Sequence, residues 1–221
     1  MIETSLKTAD LFDCNTEYLK PFFARYEYPW QMVPHIKEFI LSIIEKGLDG
    51  YKLIGKDILV GENVSISPKA EICGPVIIGK NTEIRVGAYI RGSVIIGENC
   101  VIGNSCEFKN CILLDNVQVP HYNYVGDSVL GNKSHLGAGS ICSNLKNDNK
   151  NVFIHGEVDY PTEMRKLGAI LADHANVGCG CVLNPGTVIG KHSSVYPLVP
   201  VRGVVPSYSI VKSAECIVER V

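Results

Sequence analysis

The sequence predicts an all-β solenoid of hexapeptide repeats with an N-terminal helical cap, and three observations lead to this fold class. Large apolar residues recur at every sixth position over two long stretches. Gly, Asn and Asp often follow them, as expected where a short strand turns a corner. The first 50 residues lack this period. A six-residue unit is too short for a helix pair, so three units are expected to close an eighteen-residue coil, with coils stacked about 4.8 Å apart. The apolar series is Ile54, Val60, Ile66, Ile72, Ile78, Ile84, Ile90, Ile96, Ile102, Phe108 and Leu114, then Leu130, Leu136 and Cys142, and finally Leu171, Val177, Leu183, Ile189, Val195 and Val201.

Residues 1–50 are predicted to be a helical cap. After Pro34, apolar residues follow at helical spacing, and Lys46 and Gly47 are typical of a helix end. An open coil end is an exposed sheet edge, so we expect the cap to cover the first coil. The aromatic segment 26–30 is expected to seal the cap against that coil end.

Residues 51–206 are predicted to form the solenoid, followed by a C-terminal tail over 207–221. The period fails near residues 120–130, and residues 145–168 interrupt it with a polar stretch that predicts a loop excursion. A second, smaller inward position is expected four residues after each large one. Its members are Val64, Ala70, Val76, Thr82, Ala88, Val94, Cys100, Cys106 and Ile112.

Composition excludes several classes of function. A chain of 221 residues accommodates one domain with a small appendage. A net charge of −2 offers no field for a nucleic acid, and no apolar run reaches the roughly 18 residues needed to cross a membrane. Residues 1–10 lack the pattern of a secretory signal, and nine cysteines are an odd number. We therefore expect reduced thiols and a cytoplasmic location.

The eighteen-residue coil converts spacing into proximity. Arg91 and Lys109 are eighteen apart and each follows an inward apolar residue, so both should project from neighbouring coils about 5 Å apart. Two stacked cations repel unless an anion lies between them, and a phosphate fits a guanidinium and an ammonium. The alternative is that both are solvated surface cations.

His121 marks the point where the strict repeat first breaks, and Tyr124 lies three residues on. A lone histidine is more often structural than functional. The segment nevertheless continues as His-Tyr-Asn-Tyr-Val-Gly-Asp, with Gly137-Ala138-Gly139, Ser143-Asn144 and Lys150 after it.

With these residues the chain resembles, over roughly residues 60–205, the C-terminal acetyltransferase domain of the bifunctional bacterial enzymes that make UDP-N-acetylglucosamine, in the hexapeptide acyltransferase superfamily. The resemblance implies a left-handed parallel β-helix, although parallel crossovers are usually right-handed. It also implies a homotrimer with sites between chains, and acetyl-CoA as co-substrate.

The resemblance further implies a role for each matching residue. His121 is the catalytic base, with Glu107 holding its ring and Asn144 at the acyl and sugar site. Two positions depart from the family, because His135 replaces a sugar-contacting asparagine and Cys179 a serine near the thioester. The implied acceptor site comprises Arg91, Lys109, Tyr124, His135 and Lys150, and the implied acetyl-CoA site comprises Ala138 and Cys179.

The expected function is acetyl-CoA-dependent N-acetylation of an amino-sugar 1-phosphate, either glucosamine 1-phosphate or galactosamine 1-phosphate, in UDP-N-acetylhexosamine biosynthesis. A histidine can accept the amine proton at neutral pH, and backbone N–H groups around Ala138 can bind the CoA arm or the oxyanion. No Gly-rich nucleotidyltransferase loop precedes the solenoid, so no nucleotide-sugar synthesis is expected from this chain alone.

Two other classes of function stay open. The chain could be a non-catalytic hexapeptide module that binds sugar nucleotides or partner proteins. It could also be a metalloenzyme similar to the β-helical carbonic anhydrases, because His174 and His192 are eighteen apart. A zinc site needs three ligands and no third histidine is in register, so no metal site is predicted. Cys181 is interpreted as an inward packing residue.

Overall fold

The computed structural model describes residues 5–220, which form three parallel sheets around one apolar core. The predicted all-β solenoid of hexapeptide repeats is confirmed, and the N-terminal segment is helical as expected. In chain order the strands are β1 Tyr51–Gly55, β2 Ile58–Gly61, β3 Ser65–Ile66, β4 Glu71–Ile72, β5 Val76–Ile78, β6 Glu83–Ile84, β7 Tyr89–Ile90, β8 Val94–Ile96, β9 Val101–Asn104, β10 Glu107–Lys109, β11 Cys111–Leu113, β12 Gln118–His121, β13 Tyr124–Gly126, β14 Val129–Leu130, β15 His135–Leu136, β16 Ile141–Cys142, β17 Phe153–His155, β18 Asp159–Pro161, β19 Ala169–Leu171, β20 Asn176–Val177, β21 Val182–Leu183, β22 Thr187–Ile189, β23 Ser194–Val195, β24 Pro200–Val201, β25 Val204–Val205, β26 Ser209–Ser213 and β27 Cys216–Glu219.

The chain visits the three sheets in turn, so that each coil contributes one strand to each. Sheet A has the order β1-β2-β5-β8-β11-β14-β19-β22-β25, sheet B runs from β3 to β27, and sheet C from β4 to β24. Corners recur at fixed places in the coil, and one residue in each has a positive φ, as at Asn63, Asn81, Asn99 and Asn116. Asparagine tolerates a positive φ better than most residues, which explains its recurrence there.

The core consists of the inward side chains of all three sheets, but three predicted positions are wrong. Leu113 rather than Leu114 pairs with Ile96 and points inward, and Cys111 rather than Ile112 fills the small slot. The reason is a shorter corner, since Leu113 pairs with a residue seventeen positions earlier instead of eighteen. Ile54 lies outside the coil, exposed on β1. Cys181 is buried in the core, as the packing interpretation requires.

The N-terminal helices lie along the outer face of sheet A, which corrects the expectation that they cover the first coil. Trp30, Met32 and Ile36 join one buried cluster with outward side chains of sheet A such as Ile95 and Ile112. Those aliphatic residues would otherwise be a large exposed apolar face. The helices are α1 Thr8–Leu11, α2 Lys20–Ala24, a 3₁₀ helix Pro29–His35, and α3 Ile36–Lys46.

Antiparallel strands, not helices, close two edges of the coil. The strand β1 pairs with β2 at the first coil, and β26 pairs with β27 in the last one, within the predicted tail 207–221. Residues 145–168 leave the coil between β16 and β19 and contain the β17–β18 hairpin. Segment 26–30 does not seal a coil end, because Tyr28 and Trp30 stack on each other and contact Tyr160 of this hairpin.

Among residues 5–220 no helix has the length and apolar character needed to span a membrane. All nine cysteines are free thiols. Of the N-terminal stretch 1–10, residues 1–4 lie outside the described residues, as does residue 221 of the tail.

Candidate functional site

Arg91 and Lys109 lie on consecutive coils of sheet C, where the Arg91 N–H donates to the carbonyl of Phe108 at 2.8 Å. Each cation has a carboxylate partner, which corrects the expectation of an anion held between unpaired charges. Arg91 Nη1 lies 2.6 Å from Glu107 Oε1, and Lys109 Nζ lies 3.1 Å from Asp127 Oδ1. An incoming phosphate must therefore compete with these carboxylates.

Tyr124 and Asn144 complete the same cluster from the next two coils. Asn144 Nδ2 donates to the Tyr124 hydroxyl at 3.1 Å and to Asp127 Oδ2 at 2.5 Å. We call Arg91, Glu107, Lys109, Tyr124, Asp127 and Asn144 the C–A cluster, because it extends across sheet C to the corner with sheet A.

Two members of the C–A cluster, Tyr124 and Arg91, have raised pKa values. Burial, followed by the charges of Asp127 and Glu107, raises the pKa of Tyr124, so its phenol stays neutral. The hydrogen bond and charge of Glu107 raise the pKa of Arg91. The cluster thus presents a neutral hydroxyl donor and two cations on one surface.

His121 lies at the opposite end of the sheet C strands, at the corner between sheets B and C. The Gly139 N–H donates to the His121 carbonyl at 3.0 Å, and the Gly180 N–H donates to the Ala138 carbonyl at 2.8 Å. His121, Ala138 and Cys179 therefore follow one another up this edge, and we call them the B–C column. The predicted base and both predicted acetyl-CoA residues share it.

The corner that carries His121 is built by residues on either side of it. A Cβ on Gly103 would coincide with backbone atoms of Pro120, so only glycine lets the two coils approach there. Asn123 is buried, and its Nδ2 donates to the carbonyl of Gly137 at 2.7 Å while its Oδ1 accepts the His121 N–H at 3.1 Å. The six-residue spacing of inward residues is kept across this corner, from Leu113 through Val119 to Val125.

The structure does not bring Glu107 to His121. Glu107 is bound to Arg91, and among residues 5–220 no hydrogen bond joins its carboxylate to the imidazole. Within one chain Glu107 therefore does not hold that ring as the resemblance implies. Likewise His121 does not converge with Arg91 and Lys109, because the β13 strand separates the two corners.

Two other predicted acceptor residues lie outside the C–A cluster. His135 belongs to β15 of sheet B, where it lines a cavity of about 480 Å³, and burial followed by the charge of His121 lowers its pKa. Lys150 is exposed in the loop excursion, and its backbone N–H donates to Asp148 Oδ1 at 3.0 Å. Within the described part of the chain, no hydrogen bond or ion pair links Lys150 to the C–A cluster.

Asn144 also borders the loop. A cavity of about 440 Å³ begins at the neighbouring Ser143, and Lys146, His155 and Arg202 line it further along. His155 Nδ1 lies 2.8 Å from Asp159 Oδ1, and Arg202 Nη2 lies 3.2 Å from His155 Nε2. This polar cavity lies beside the loop and is lined by both sequence neighbours of Asn144, but by no residue of the C–A cluster.

Sequence reasoning missed Asp127, the residue that joins Lys109 to Asn144. The signal was present in the spacing, since Asn110, Asp127 and Asn144 succeed each other at intervals of seventeen. Because the eighteen-residue period was applied throughout, these positions were not recognised as one column.

His174 and His192 stack with ring centroids 4.4 Å apart and an interplanar angle of 14°. Imidazole nitrogens bind metals in the ring plane, so parallel stacked rings do not converge on one ion. Within residues 5–220 no group of three or more His, Cys, Asp and Glu residues could hold a metal. The geometry gives no support to the carbonic-anhydrase-like alternative.

Comparisons with known proteins match most of this chain to bifunctional GlmU proteins. The protein family described as "GMPPB C-terminal domain" matches residues 72–161. The "Bifunctional protein GlmU" of Methanococcus maripaludis is 34% identical over 180 residues, which are 80% of this chain and 44% of that protein. The GlmU of a Picosynechococcus species is 38% identical over 152 residues, 68% of this chain and 28% of that protein.

Among solved structures, a point mutant of AntD, an N-acyltransferase from Bacillus cereus in complex with dTDP and coenzyme A, has a TM-score of 0.38 at 20% identity. That match covers 78% of this chain and 91% of the other. The chain spans less than half the length of the curated relatives named above. Its similarity to the GlmU proteins covers most of its own sequence.

Proposed function

We propose that this chain, a hexapeptide-repeat β-helix protein similar in sequence to the bifunctional GlmU proteins, is an acetyl-CoA-dependent N-acetyltransferase. Its acceptor is an amino-sugar 1-phosphate, either glucosamine 1-phosphate or galactosamine 1-phosphate, in cytoplasmic UDP-N-acetylhexosamine biosynthesis. The observation that carries the proposal is the C–A cluster, in which Arg91, Lys109, Tyr124 and Asn144 project from successive coils onto one surface.

The acceptor phosphate is assigned to Arg91 and Lys109. The Arg91–Glu107 pair is partly exposed, with side chains 43% and 37% accessible, and such pairs contribute about 0–1 kcal/mol. A phosphate can therefore displace Glu107 at little cost, and Arg91 offers it a planar pair of donors. Lys109 stays bound to the buried Asp127 and keeps one further N–H for the ligand.

The thioester arm is assigned to the B–C column, and the residues there fit an extended chain. A Cβ placed on Gly139 would meet no atom within 4 Å, so the surface beside His121 and Ala138 is open. Acetyl-CoA supplies an activated acetyl group, whose carbonyl carbon forms a bond to the acceptor nitrogen as the bond to sulfur breaks. His121 accepts the proton from that nitrogen, and the backbone N–H of Ala138, for which the described residues offer no hydrogen-bond acceptor, stabilises the developing oxyanion.

The base and the phosphate ligands lie at different corners of one chain, so we propose that the site forms between copies in a homotrimer. The B–C column of one copy must then face the C–A cluster of its neighbour. The helices pack on sheet A, away from the B–C corner. Exposed apolar residues such as Tyr122 and Leu198 lie along the B–C corner.

The proposal is tested by thiol release from acetyl-CoA with glucosamine 1-phosphate, galactosamine 1-phosphate and the unphosphorylated amino sugars. Turnover is expected only with a phosphorylated acceptor. His121→Ala should lower the rate roughly 10²- to 10⁴-fold without changing the unfolding midpoint by more than a few degrees, because it removes the general base. His192→Asn is the matched control, since it removes a histidine from another corner of the coil.

A His121→Ala protein with full activity would overturn the assignment of the base. A second candidate function, a non-catalytic module that binds sugar nucleotides or partner proteins, is favoured by one observation: carboxylates already neutralise both cations of the C–A cluster. Absence of turnover with every acceptor in the panel, together with binding of a nucleotide sugar, would favour that module over the enzyme.

A further inference from the structure

Asp127 is a buried carboxylate at the centre of the C–A cluster. Its side chain is 5% exposed. From the preceding coil it accepts hydrogen bonds from Lys109 Nζ at 3.1 and 3.2 Å and from Asn110 Nδ2 at 2.8 Å. From the following coil it accepts the amide of Asn144. One carboxylate therefore joins three successive coils.

The bond to Asp127 fixes which way the Asn144 amide faces. An ionised carboxylate can only accept hydrogen bonds, so the amide atom 2.5 Å from Asp127 Oδ2 must be the NH₂ group. The same nitrogen donates to the Tyr124 hydroxyl at 3.1 Å. Asn144 Oδ1 therefore faces away from both, and within the described residues no hydrogen bond reaches it.

Gly126 makes room for this arrangement. A Cβ at that position would lie 2.8 Å from Asn144 Nδ2 and in collision with the Tyr124 hydroxyl. Because the Tyr124 oxygen accepts from Asn144, its own proton is available to another acceptor. The cluster thus has two kinds of free group, a carbonyl oxygen that accepts and a hydroxyl and an ammonium that donate.

We infer that Asp127 is a positioning residue that sets the hydrogen-bond polarity of the acceptor site. Asp127 holds the Asn144 amide with its oxygen outward, where that oxygen can accept an N–H from the acceptor amine. Asp127 also holds Lys109 in place and leaves the Tyr124 proton free, so that both can donate to the acceptor phosphate. This inference rests on the proposed function, and it states why the site takes a ligand that carries both a phosphate and an amine.

Asp127→Asn is the informative variant because asparagine has nearly the same side-chain shape as aspartate and tolerates the backbone conformation at position 127. The φ of Asp127 is +49°, a conformation that asparagine tolerates. The asparagine has one acceptor oxygen instead of two and offers an NH₂ group to its neighbours. One oxygen cannot accept all four hydrogen bonds that Asp127 receives from Lys109, Asn110 and Asn144, and the negative charge that holds the Asn144 NH₂ group is lost, so the Asn144 amide is free to turn over.

The reciprocal exchange separates polarity from simple packing. In the double variant Asp127→Asn/Asn144→Asp the amide at 127 can donate to the carboxylate at 144, so a hydrogen bond between the two coils is restored. The carboxylate at 144 then accepts the hydrogen bond of the Tyr124 hydroxyl, which no longer donates to the phosphate, and places a negative charge beside the phosphate site. If Asp127 only links the coils, this exchange restores its effect. If Asp127 sets the hydrogen-bond polarity of the site, the exchange reverses that polarity and does not restore acceptor binding.

We expect Asp127→Asn to raise the KM for glucosamine 1-phosphate at least tenfold, with the KM for acetyl-CoA within twofold of the unaltered protein. The double variant should recover the thermal unfolding midpoint without recovering the acceptor KM. Recovery of both, or an unchanged acceptor KM in Asp127→Asn, overturns the inference. Asp173→Asn is the matched control, since buried Asp173 likewise accepts an asparagine amide, from Asn132 Nδ2 at 3.1 Å, at a different corner.

A second measurement does not depend on turnover. In the full-length protein without ligand, the side-chain amide resonances of Asn144 should be shifted by the carboxylate and should move strongly in Asp127→Asn but not in Asp173→Asn. Unmoved resonances overturn the inference even if the enzyme is active. If only the proposed function is wrong, the unaltered protein will show no turnover, but the Asn144 resonances will still shift in Asp127→Asn.

Discussion

At the residue scale, Arg91 and Glu107 show how strongly local register determines the choice of partner. Glu107 immediately precedes the inward Phe108, and its strand neighbour is Tyr89, two residues before Arg91. The carboxylate therefore reaches the guanidinium on its own sheet rather than an imidazole at another corner. Glu107 occupies the place that a phosphate ligand would take.

Glu107→Gln is accordingly expected to lower the acceptor KM up to about fivefold, because a partly exposed ion pair contributes about 0–1 kcal/mol and its loss frees Arg91. Steady-state kinetics with the phosphorylated amino sugar measures this. Glu83→Gln breaks a comparable surface pair with Arg85, 3.0 Å apart, and should leave the KM unchanged. A large fall in kcat with no gain in affinity would instead return Glu107 to the role of orienting the base.

At the scale of elements, the corner between sheets A and B changes character along the solenoid. Its left-handed positions are asparagines in the early coils and become His174, His192 and Tyr208 in the last ones. The rings of His192 and Tyr208 stack at 4.9 Å, so the column continues as aromatic contacts. Stacking replaces side-chain amide contacts such as the 3.3 Å hydrogen bond between Asn63 and Asn81.

This column predicts a loss of stability in acid. Burial, then the charges of His174, Arg220 and Lys191, lower the pKa of His192 from its ordinary value of 6.5. The folded chain therefore binds that proton less tightly than the unfolded chain, so the stability is complete above about pH 6.5 and is lost as the pH falls through the lowered pKa. Thermal unfolding from pH 7.5 to 5 should show this decline.

His192→Asn should flatten that decline, because it removes the titrating ring and suits the left-handed backbone of the corner. Tyr208→Asn is the control, since it removes a stacked ring but retains both imidazoles, and its pH dependence should persist. An unaltered decline in His192→Asn would assign the acid sensitivity to other groups.

At the scale of the whole molecule, the N-terminal helices determine which surfaces are free. Together with Val152 and Ile154 of the loop excursion, they bury the outer aliphatic residues of sheet A, such as Ile77, Ile95 and Val188. The B–C corner has no such cover, and Leu198 there is 79% exposed with its side chain over Gly180. The B–C corner is thereby left free for the proposed assembly of three copies.

Sedimentation is therefore expected to give three times the chain mass. Leu198→Glu should weaken this assembly, because a charge in an apolar interface is costly, and should abolish acetyl transfer while the chain stays folded. Leu53→Glu is the control, because Leu53 is also exposed but lies on β1 at the first coil. A monomeric Leu198→Glu protein that is fully active would place the whole site within one chain.

The amino-acid sequence by itself determined the solenoid and the proximity of Arg91 to Lys109. A six-residue period converts directly into coils, because a strand and a corner need a fixed number of residues. The helix after Pro34 was likewise predictable, since its apolar spacing and its end at Gly47 are local signals.

Only the tertiary structure decided which groups bind one another and where the helices pack. The corners before β11 and β14 are one residue shorter than the period, which turned Leu113 inward and placed Asp127 between Lys109 and Asn144. The ion pair between Glu107 and Arg91 depends on contacts between residues that are distant in the chain. The packing of the helices on sheet A depends on such contacts as well. A periodic pattern fixes which side chains point outward, but it does not fix which outward side chains meet.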